Sequence, residues 1–199
     1  IVNILKQSKY KVGWYTSPHL VRINERIRIN FKSITNEDIN IFLNLYKKDI
    51  EKIKATFFEI MTAIALWYFE KNNVDIAVLE TGLGGRLDSV TACDNKYILF
   101  TSISTDHRDI LGNSIKKITQ EKAQAIINSS QQCISVKQNK EIVQILNTQA
   151  KKYNIIMNYC ANQNNELQYK NPYLFGNHQK ENAVAAKQTI NILNKHNLI

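Results

Sequence analysis

The 199-residue sequence contains little of what builds disulfide frameworks, turns or membrane spans: three cysteines, two prolines, six glycines and no long apolar run. Its cysteines, Cys93, Cys133 and Cys160, are odd in number and share no C-x-x-C spacing, which favours a reduced cytoplasmic setting. The longest apolar segment, residues 57–69, is too short and too closely flanked by charges to cross a bilayer, so no membrane partner is expected. No secretory signal pattern opens the sequence.

Arginine is also scarce, because the net charge of +9 comes mainly from lysine. The 21 lysines and 24 asparagines, against 5 arginines, indicate A/T-rich coding and a basicity spread over solvated faces. Lysine and arginine form no run and do not alternate with aromatic residues, so no nucleic-acid partner is expected. An arginine kept in such a lysine-rich sequence is expected where lysine cannot replace the planar guanidinium group. A glycine is expected where the backbone needs a positive φ or a close approach to another group. These positions are Arg22, Arg26, Arg28, Arg86 and Arg108, with Gly82, Gly84 and Gly85.

Hydrophobic patterns predict strands that alternate with helices. Thr35, followed three residues later by Asp38, predicts a capped helix that runs to about Ile53. Residues 17–30 are predicted as a long loop with extended character, and residues 57–70 as a helix buried nearly all round. The remaining predicted strands cover 11–16, 75–80, 97–104, 133–136 and 155–159, and the remaining helices 115–128, 139–152 and 179–195. This order predicts an α/β fold with a mainly parallel sheet flanked by helices.

The glycine-rich turn after residue 80 fits neither common phosphate-binding motif. Gly82-x-Gly84-Gly85 is followed by "RLDSVTACDN", which is poor helix material, so a dinucleotide fingerprint is excluded. A Walker A loop needs Lys and then Ser or Thr after its last glycine, and no such motif occurs anywhere in the 199 residues.

Two strand ends carry candidate metal ligands instead. Glu80 ends one apolar strand and His107 follows another, and open α/β sheets place their ligands at the carboxyl ends of strands. Neighbouring parallel strands would bring the two side chains to one crevice, which favours a divalent cation, although Mg²⁺ prefers oxygen ligands. The alternative interpretations are a carboxylate that caps a loop and a hydrogen-bonded structural histidine.

Five segments occur in order along the chain: "YTSPHLVRINERIRIN", "ATFFEIMTAIALWYF", "ETGLGGRLDSVT", "SISTDHRDILGNSIKKITQEKA" and "GNHQKENAVAA". Together they resemble the successive motifs of the dihydrofolate synthase / folylpolyglutamate synthase family, a branch of the Mur ligases. The resemblance implies a P-loop ATPase domain of Mur-ligase type, incomplete at its amino terminus, within an ATP-dependent amide ligase. In that family ATP phosphorylates a substrate carboxylate, and the amine of L-glutamate then displaces the phosphate.

The resemblance also implies roles for individual residues. Glu80 and His107 match the family's Mg²⁺ ligands, and Lys122 matches a lysine that the family carries as a carbamate. A carbamate turns a cationic side chain into an anionic oxygen ligand. The loop at Pro18 resembles the family's mobile substrate loop. The positions that match substrate-binding residues are Ser17, His19, Thr56, Phe58, Asp88 and Ser89, and those near the ATP base are His178, Gln179 and Asn182.

The family's phosphate loop and its carboxy-terminal glutamate-ligase domain are missing from residues 1–199, which would then be a partial central ATPase and substrate domain. The resemblance implies a cytoplasmic monomer that uses Mg²⁺, ATP, L-glutamate and dihydropteroate or a folate. It also implies that residues 1–199 alone do not catalyse the ligation. A non-catalytic remnant of a decaying gene, or a Mur ligase for another carboxylate, is the alternative. The sequence leaves open whether the first glutamate is added, a polyglutamate tail is extended, or both.

Overall fold

A computed structural model describes residues 1–106, 108–160 and 176–199. The chain divides into two compact units, Ile1–Leu83 and Gly84–Ile199. The first unit contains α1 (Val2–Gln7), β1 (Val12–Tyr15), β2 (Ile27–Ile29), β3 (Lys32–Ser33), α2 (Asn36–Ile53), α3 (Phe57–Lys71) and β4 (Ile76–Leu79). The second contains β5 (Tyr97–Phe100), α4 (Arg108–Leu111), α5 (Ile115–Ala123), β6 (Gln132–Ser135), α6 (Lys140–Lys151), β7 (Ile156–Tyr159) and α7 (Asn177–Lys195). Single 3₁₀ turns occur at Ile23–Arg26 and Thr91–Cys93.

The first unit is built on a four-stranded sheet in the order β3-β2-β1-β4. Strands β1 and β4 are parallel, with Val12 opposite Ile76 and Tyr15 opposite Leu79, so both strands end at the same edge. Strand β2 runs antiparallel to both β1 and β3. The core contains fully buried side chains from the sheet and the helices, including Leu5, Val12, Tyr15, Ile27, Ile34, Met61 and Ile64.

Helices α2 and α3 each begin where a threonine side chain accepts a hydrogen bond from one of the helix's free amide groups. Thr35 accepts a hydrogen bond from the amide of Asp38, which confirms the predicted start of α2. Helix α3 is only partly buried, in contrast to its prediction as a helix buried all round. Its apolar side chains at Phe57 and Leu66 are 53% and 39% exposed, because composition does not tell which faces other elements cover.

The predicted long loop at residues 17–30 is wrong in its second half. Residues Ile23–Arg26 form a 3₁₀ turn, and β2 follows directly and pairs with both β1 and β3. Ile27 and Ile29 are buried while Arg28 between them is half-buried, which is the two-residue period of a strand. The predicted extended conformation is therefore confirmed for residues 27–29, and pairing with β1 makes this segment a strand of the sheet.

The second unit contains a parallel three-stranded sheet in the order β5-β6-β7. Helix α5 lies between β5 and β6 in the chain, and α6 lies between β6 and β7, as expected for βαβ crossovers. The core is formed by Phe100, Ala123, Ile126, Cys133, Ile142, Leu146, Ala150 and Ile155. The predicted α/β class is thus confirmed, although its strands fall into two sheets and the first sheet is mixed. Among the residues that the structure describes, no helix has the length and apolar character needed to cross a membrane.

Candidate functional site

The parallel pair β1 and β4 delivers two predicted site residues to one sheet edge. Glu80 follows β4 directly, and its amide donates to the carbonyl of Tyr15 at 2.9 Å. The Oε2 atom of Glu80 accepts a hydrogen bond from the amide of Ser17 at 3.0 Å. Within the first unit, the predicted metal ligand and the start of the predicted substrate loop are therefore in direct contact.

Phe58 lies against the turn that follows Glu80. A Cβ atom at Gly82 would stand 2.5 Å from the Phe58 ring, so only glycine allows this close approach. The ring is also 5.7 Å, between centroids, from the ring of the fully buried Tyr15. Phe58 as a whole residue is half-buried.

Thr56 also has a structural role, which the Thr-x-x-Glu spacing of Thr56 and Glu59 indicates. Its hydroxyl accepts from the amide of Glu59 at 3.3 Å, and the Glu59 carboxylate accepts from the Thr56 amide at 2.6 Å. This reciprocal capping box starts α3. The amide and the hydroxyl of Thr56 both donate to the Glu59 carboxylate, and these bonds lower the pKa of the Glu59 carboxyl, the amide contributing most.

The loop between β1 and the 3₁₀ turn is held by a buried arginine. The guanidinium of Arg26 donates from Nε to Nδ1 of His19 at 2.9 Å and lies 5.3 Å above the centroid of the Phe57 ring. Arg26 is 8% exposed, and the peptide bond between Ser17 and Pro18 is cis. Arg26, one of the five arginines that the sequence indicated as hard to replace, thus orients His19, a predicted substrate-binding residue.

Glu25, in the 3₁₀ turn that follows this loop, was not among the predicted functional residues. Its carboxylate accepts hydrogen bonds from the amides of Leu20, Val21 and Arg22, at 2.9, 3.1 and 2.7 Å. The pKa of Glu25 is lowered, first by the bond from Leu20 and next by that from Arg22. The only sequence signal is a glutamate three residues after Arg22, which is too common a spacing to stand out.

In the second unit, the remaining part of the glycine-rich turn packs against the end of α5. A Cβ atom at Gly85 would lie 2.7 Å from the carbonyl oxygen of Lys122, so this position also requires glycine. Asp88 is buried, and its Oδ1 accepts from the amide of Val90 at 2.9 Å. The carbonyl of Ser89 accepts from the Cys93 thiol at 3.3 Å. The turn therefore gives Asp88 and Ser89 local structural roles, and their predicted substrate role stays a prediction.

Lys122 lies in the last turn of α5 and is half-buried. The neighbouring Glu121 forms an ion pair with Arg86 at 3.4 Å, which joins the glycine-rich turn to this helix a second time. These two contacts hold the backbone of Lys122 beside Gly85. Carbamylation of its amine stays a prediction.

Of the two predicted metal ligands, Glu80 and His107, the structure describes only Glu80. His107 lies outside the described residues, and β4 and β5 belong to separate sheets instead of forming a hydrogen-bonded pair among the described strands. In the same described part of the chain, no group of three or more His, Cys, Asp or Glu side chains is gathered around one point. Glu80 fits Mg²⁺ as a single exposed carboxylate, because Mg²⁺ commonly binds one or two carboxylates together with water and substrate phosphates.

The residues predicted near the ATP base lie at the start of α7. Gly176 precedes the helix with a φ of +104°, and its carbonyl accepts from the amide of Gln179 at 3.2 Å. The side chains of Gln179 and His178 are 3.1 Å apart at their Nε2 atoms. Asn182 is exposed and four residues after His178, so these two lie on the same side of the helix. Their contact with a nucleotide stays a prediction.

Comparison with known proteins gives one family match and several similar chains. The model of the family described as Mur ligase middle domain matches residues 29–199. The dihydrofolate synthase/folylpolyglutamate synthase of Bacillus subtilis (strain 168) is 32% identical over 225 aligned residues, which cover 100% of this chain and 52% of that protein. The chain therefore spans about half the length of this relative.

Two solved structures are similar over nearly the whole chain. A folylpolyglutamate synthase from Thermotoga maritima has a TM-score of 0.82 and 28% identity, and the alignment covers 96% of this chain and 49% of that one. A folylpolyglutamate synthase bound to AMPPCP and folate has a TM-score of 0.86 and 25% identity, with 98% and 54% covered.

Proposed function

Since the chain belongs to the Mur ligase middle-domain family, we propose that it is the ATP- and substrate-handling part of a ligase that joins L-glutamate to dihydropteroate, to a folylpolyglutamate, or to both. One observation carries the proposal: the loop after β1 meets Glu80 at the end of β4, beside the turn on which Phe58 packs. A folate-bound and AMPPCP-bound relative of the same fold supports the choice of substrates.

The proposed reaction divides into two displacements. A carboxylate oxygen of dihydropteroate attacks the γ-phosphorus of ATP and ADP leaves, and the amine of L-glutamate then attacks the acyl phosphate and releases phosphate. A bound Mg²⁺ would neutralise charge on the transferring phosphoryl group. The residues that would hold that ion, by their resemblance to the family's motifs, are Glu80, His107 and a carbamate on Lys122.

The protein's own groups have separate tasks in this scheme. The ring of Phe58 offers a flat apolar face to the pterin, and aromatic rings favour offset stacking at centroid distances of roughly 4.5–7 Å. Ser17, His19, Thr56, Asp88 and Ser89 are proposed to contact the substrate, and His178, Gln179 and Asn182 the nucleotide. The chain is proposed to act in the cytoplasm as a monomer, in line with three free cysteines.

The proposal predicts selective binding of the pterin-bearing acid by residues 1–199. In isothermal titration calorimetry, dihydropteroate should bind at least about tenfold more tightly than p-aminobenzoate, which has the carboxylate but lacks the pterin. One stacked ring contact is worth about 0.5–1.5 kcal/mol beyond its buried area, and about 1.4 kcal/mol corresponds to tenfold in affinity. Phe58→Leu, which removes the flat face but keeps an apolar side chain, should abolish most of this preference.

The control variant is Leu66→Ala, because Leu66 is another partly exposed apolar side chain on α3, two turns from Phe58. It should retain the preference. Equal affinity of the unmodified chain for both acids would contradict a pterin substrate and would favour a Mur ligase for another carboxylate.

A further inference from the structure

A pair of hydroxyl groups links β1 to α3 inside the first unit. Tyr15 is fully buried and Thr62 is 4% exposed, and their hydroxyl oxygens are 3.3 Å apart. The Thr62 hydroxyl also donates to the carbonyl of Phe58 at 2.9 Å, one helical turn earlier in α3. A buried hydroxyl group needs a hydrogen bond, so the two side chains restrict each other's orientation as well as filling space.

Tyr15 reaches the turn that carries Glu80 by two routes. Its carbonyl accepts from the Glu80 amide at 2.9 Å, which fixes the start of the turn. Its ring lies 5.7 Å, between centroids, from the ring of Phe58, and the Phe58 ring in turn fills the space that a Cβ atom at Gly82 would need. The backbone on both sides of Thr81 is therefore supported from one buried residue.

The hydroxyl pair matters for this support because aromatic rings in contact leave each other some freedom. Packing alone allows a ring to tilt or slide at a small cost, whereas a hydrogen bond restricts both the distance and the direction between its two groups. The bond to Thr62 therefore limits movement of the Tyr15 ring, which limits movement of Phe58. The Glu80 side chain is exposed, so the backbone of the turn decides which points its carboxylate can reach.

We propose that the paired hydroxyls of Tyr15 and Thr62 position Glu80. The pair holds the Phe58 ring against Gly82 and so sets the place from which the Glu80 carboxylate would reach a metal ion. This inference rests on the proposed function and adds to it two buried residues that act through the turn. Loss of either hydroxyl should loosen the turn and leave the rest of the first unit in place.

The first test removes one hydroxyl from the 199-residue chain. In Tyr15→Phe, exchange of the Glu80 and Ser17 amide hydrogens, followed by NMR, should become about three- to tenfold faster, because the net contribution of one hydrogen bond corresponds to a factor of this size. The Asn30 amide, which donates to Val12 at the other end of β1, should exchange at an unchanged rate. Equal acceleration at all three amides, or at none, would contradict a positioning role.

Three further variants provide a control, a replicate and a rescue. Tyr159→Phe removes a phenol hydroxyl of the second unit that donates to Asn147 at 2.9 Å, and it should leave exchange of the Glu80 amide unchanged. Thr62→Val removes the other hydroxyl of the pair and should reproduce the effect of Tyr15→Phe, whereas Thr62→Ser keeps a hydroxyl and should not. A Thr62→Val variant that exchanges like the unmodified chain would show that the pair does not hold the turn.

The second test measures ligation by an extended version, which also contains the parts of the Bacillus subtilis relative that this chain does not match. Tyr15→Phe should raise the Mg²⁺ concentration needed for half-maximal rate about threefold, because Mg²⁺ demands near-ideal ligand geometry. It should also lower kcat about tenfold, since a misplacement of about 1 Å costs up to about a hundredfold in rate. Tyr159→Phe should change neither quantity.

The outcomes separate this inference from the proposed function. If exchange becomes faster while the Mg²⁺ requirement and kcat stay unchanged, the hydroxyl pair serves stability alone. The positioning role is then overturned and the proposed function stands. If the unmodified extended version forms no glutamylated product, the proposed function fails, and this inference, which rests on it, fails as well.

Discussion

A polypeptide of residues 1–199 alone is expected to show at least about a thousandfold less glutamate ligation than an extended version that also contains the parts of a full-length relative that this chain does not match. The extended version adds the segments of the Bacillus subtilis relative that lie outside the aligned region, since the chain covers 52% of that protein. The reason is the absence of a Walker A sequence from these 199 residues. Phosphoryl transfer depends almost entirely on positioning and on charge stabilisation, and removing even one such donor elsewhere costs about a hundred- to a thousandfold in rate.

The measurement is formation of glutamylated product from dihydropteroate, ATP, Mg²⁺ and L-glutamate by the two purified versions. Binding of dihydropteroate to both should be similar, because the proposed substrate residues are present in each. Comparable turnover by the two versions would show that residues 1–199 hold a complete ATP site of another kind, and the proposed division of labour would be wrong.

The second large effect is expected at Glu80. In the extended version, Glu80→Gln should lower kcat/KM by about a hundred- to a thousandfold, the loss typical of removing one group that stabilises the transition state. The Mg²⁺ concentration needed for half-maximal rate should rise, because a neutral amide is a weaker ligand for a hard cation than a carboxylate. Glutamine still has an oxygen that can accept from the Ser17 amide, so the loop contact is retained while the charge is removed.

Two further variants separate the metal role of Glu80 from its loop role. Glu80→Ala removes both the charge and the acceptor, and it should additionally raise the KM for dihydropteroate. Glu70→Gln removes an exposed carboxylate from α3 and should behave like the unmodified enzyme. If Glu80→Gln has an unchanged Mg²⁺ requirement, Glu80 does not bind the ion. Its role would then be to cap the loop through its hydrogen bond with the Ser17 amide.

The elements that were predictable from sequence are those whose signals are local. Thr35 and Asp38 mark the start of α2 because capping involves residues three apart. The apolar runs that contain β4 and β5 predict strands because continuous apolar runs of this length are typical of covered parallel sheets, although β5 covers only the first half of the predicted 97–104. The position of Glu80, directly after β4, follows from that strand alone.

The features that were not predictable depend on contacts between distant parts of the chain. Pairing with β1 makes residues 27–29 a strand, and no property of that segment specifies its partner. Glu25 binds three amides only because the loop folds back over it, a backbone shape that has no sequence period. The glycines at positions 82 and 85 were marked by their rarity, but only the structure shows the ring of Phe58 and the end of α5 that require them.

The measurement that tests the central claim most directly follows an oxygen atom. The extended version is supplied with dihydropteroate and, separately, with a folate, each containing ¹⁸O in its carboxylates, together with ATP, Mg²⁺ and L-glutamate, and the products are analysed by mass spectrometry. If the carboxylate is activated as an acyl phosphate, the glutamylated product should form and each phosphate released should contain one ¹⁸O atom. Unlabelled phosphate, or hydrolysis of ATP without a glutamylated product, would contradict the account.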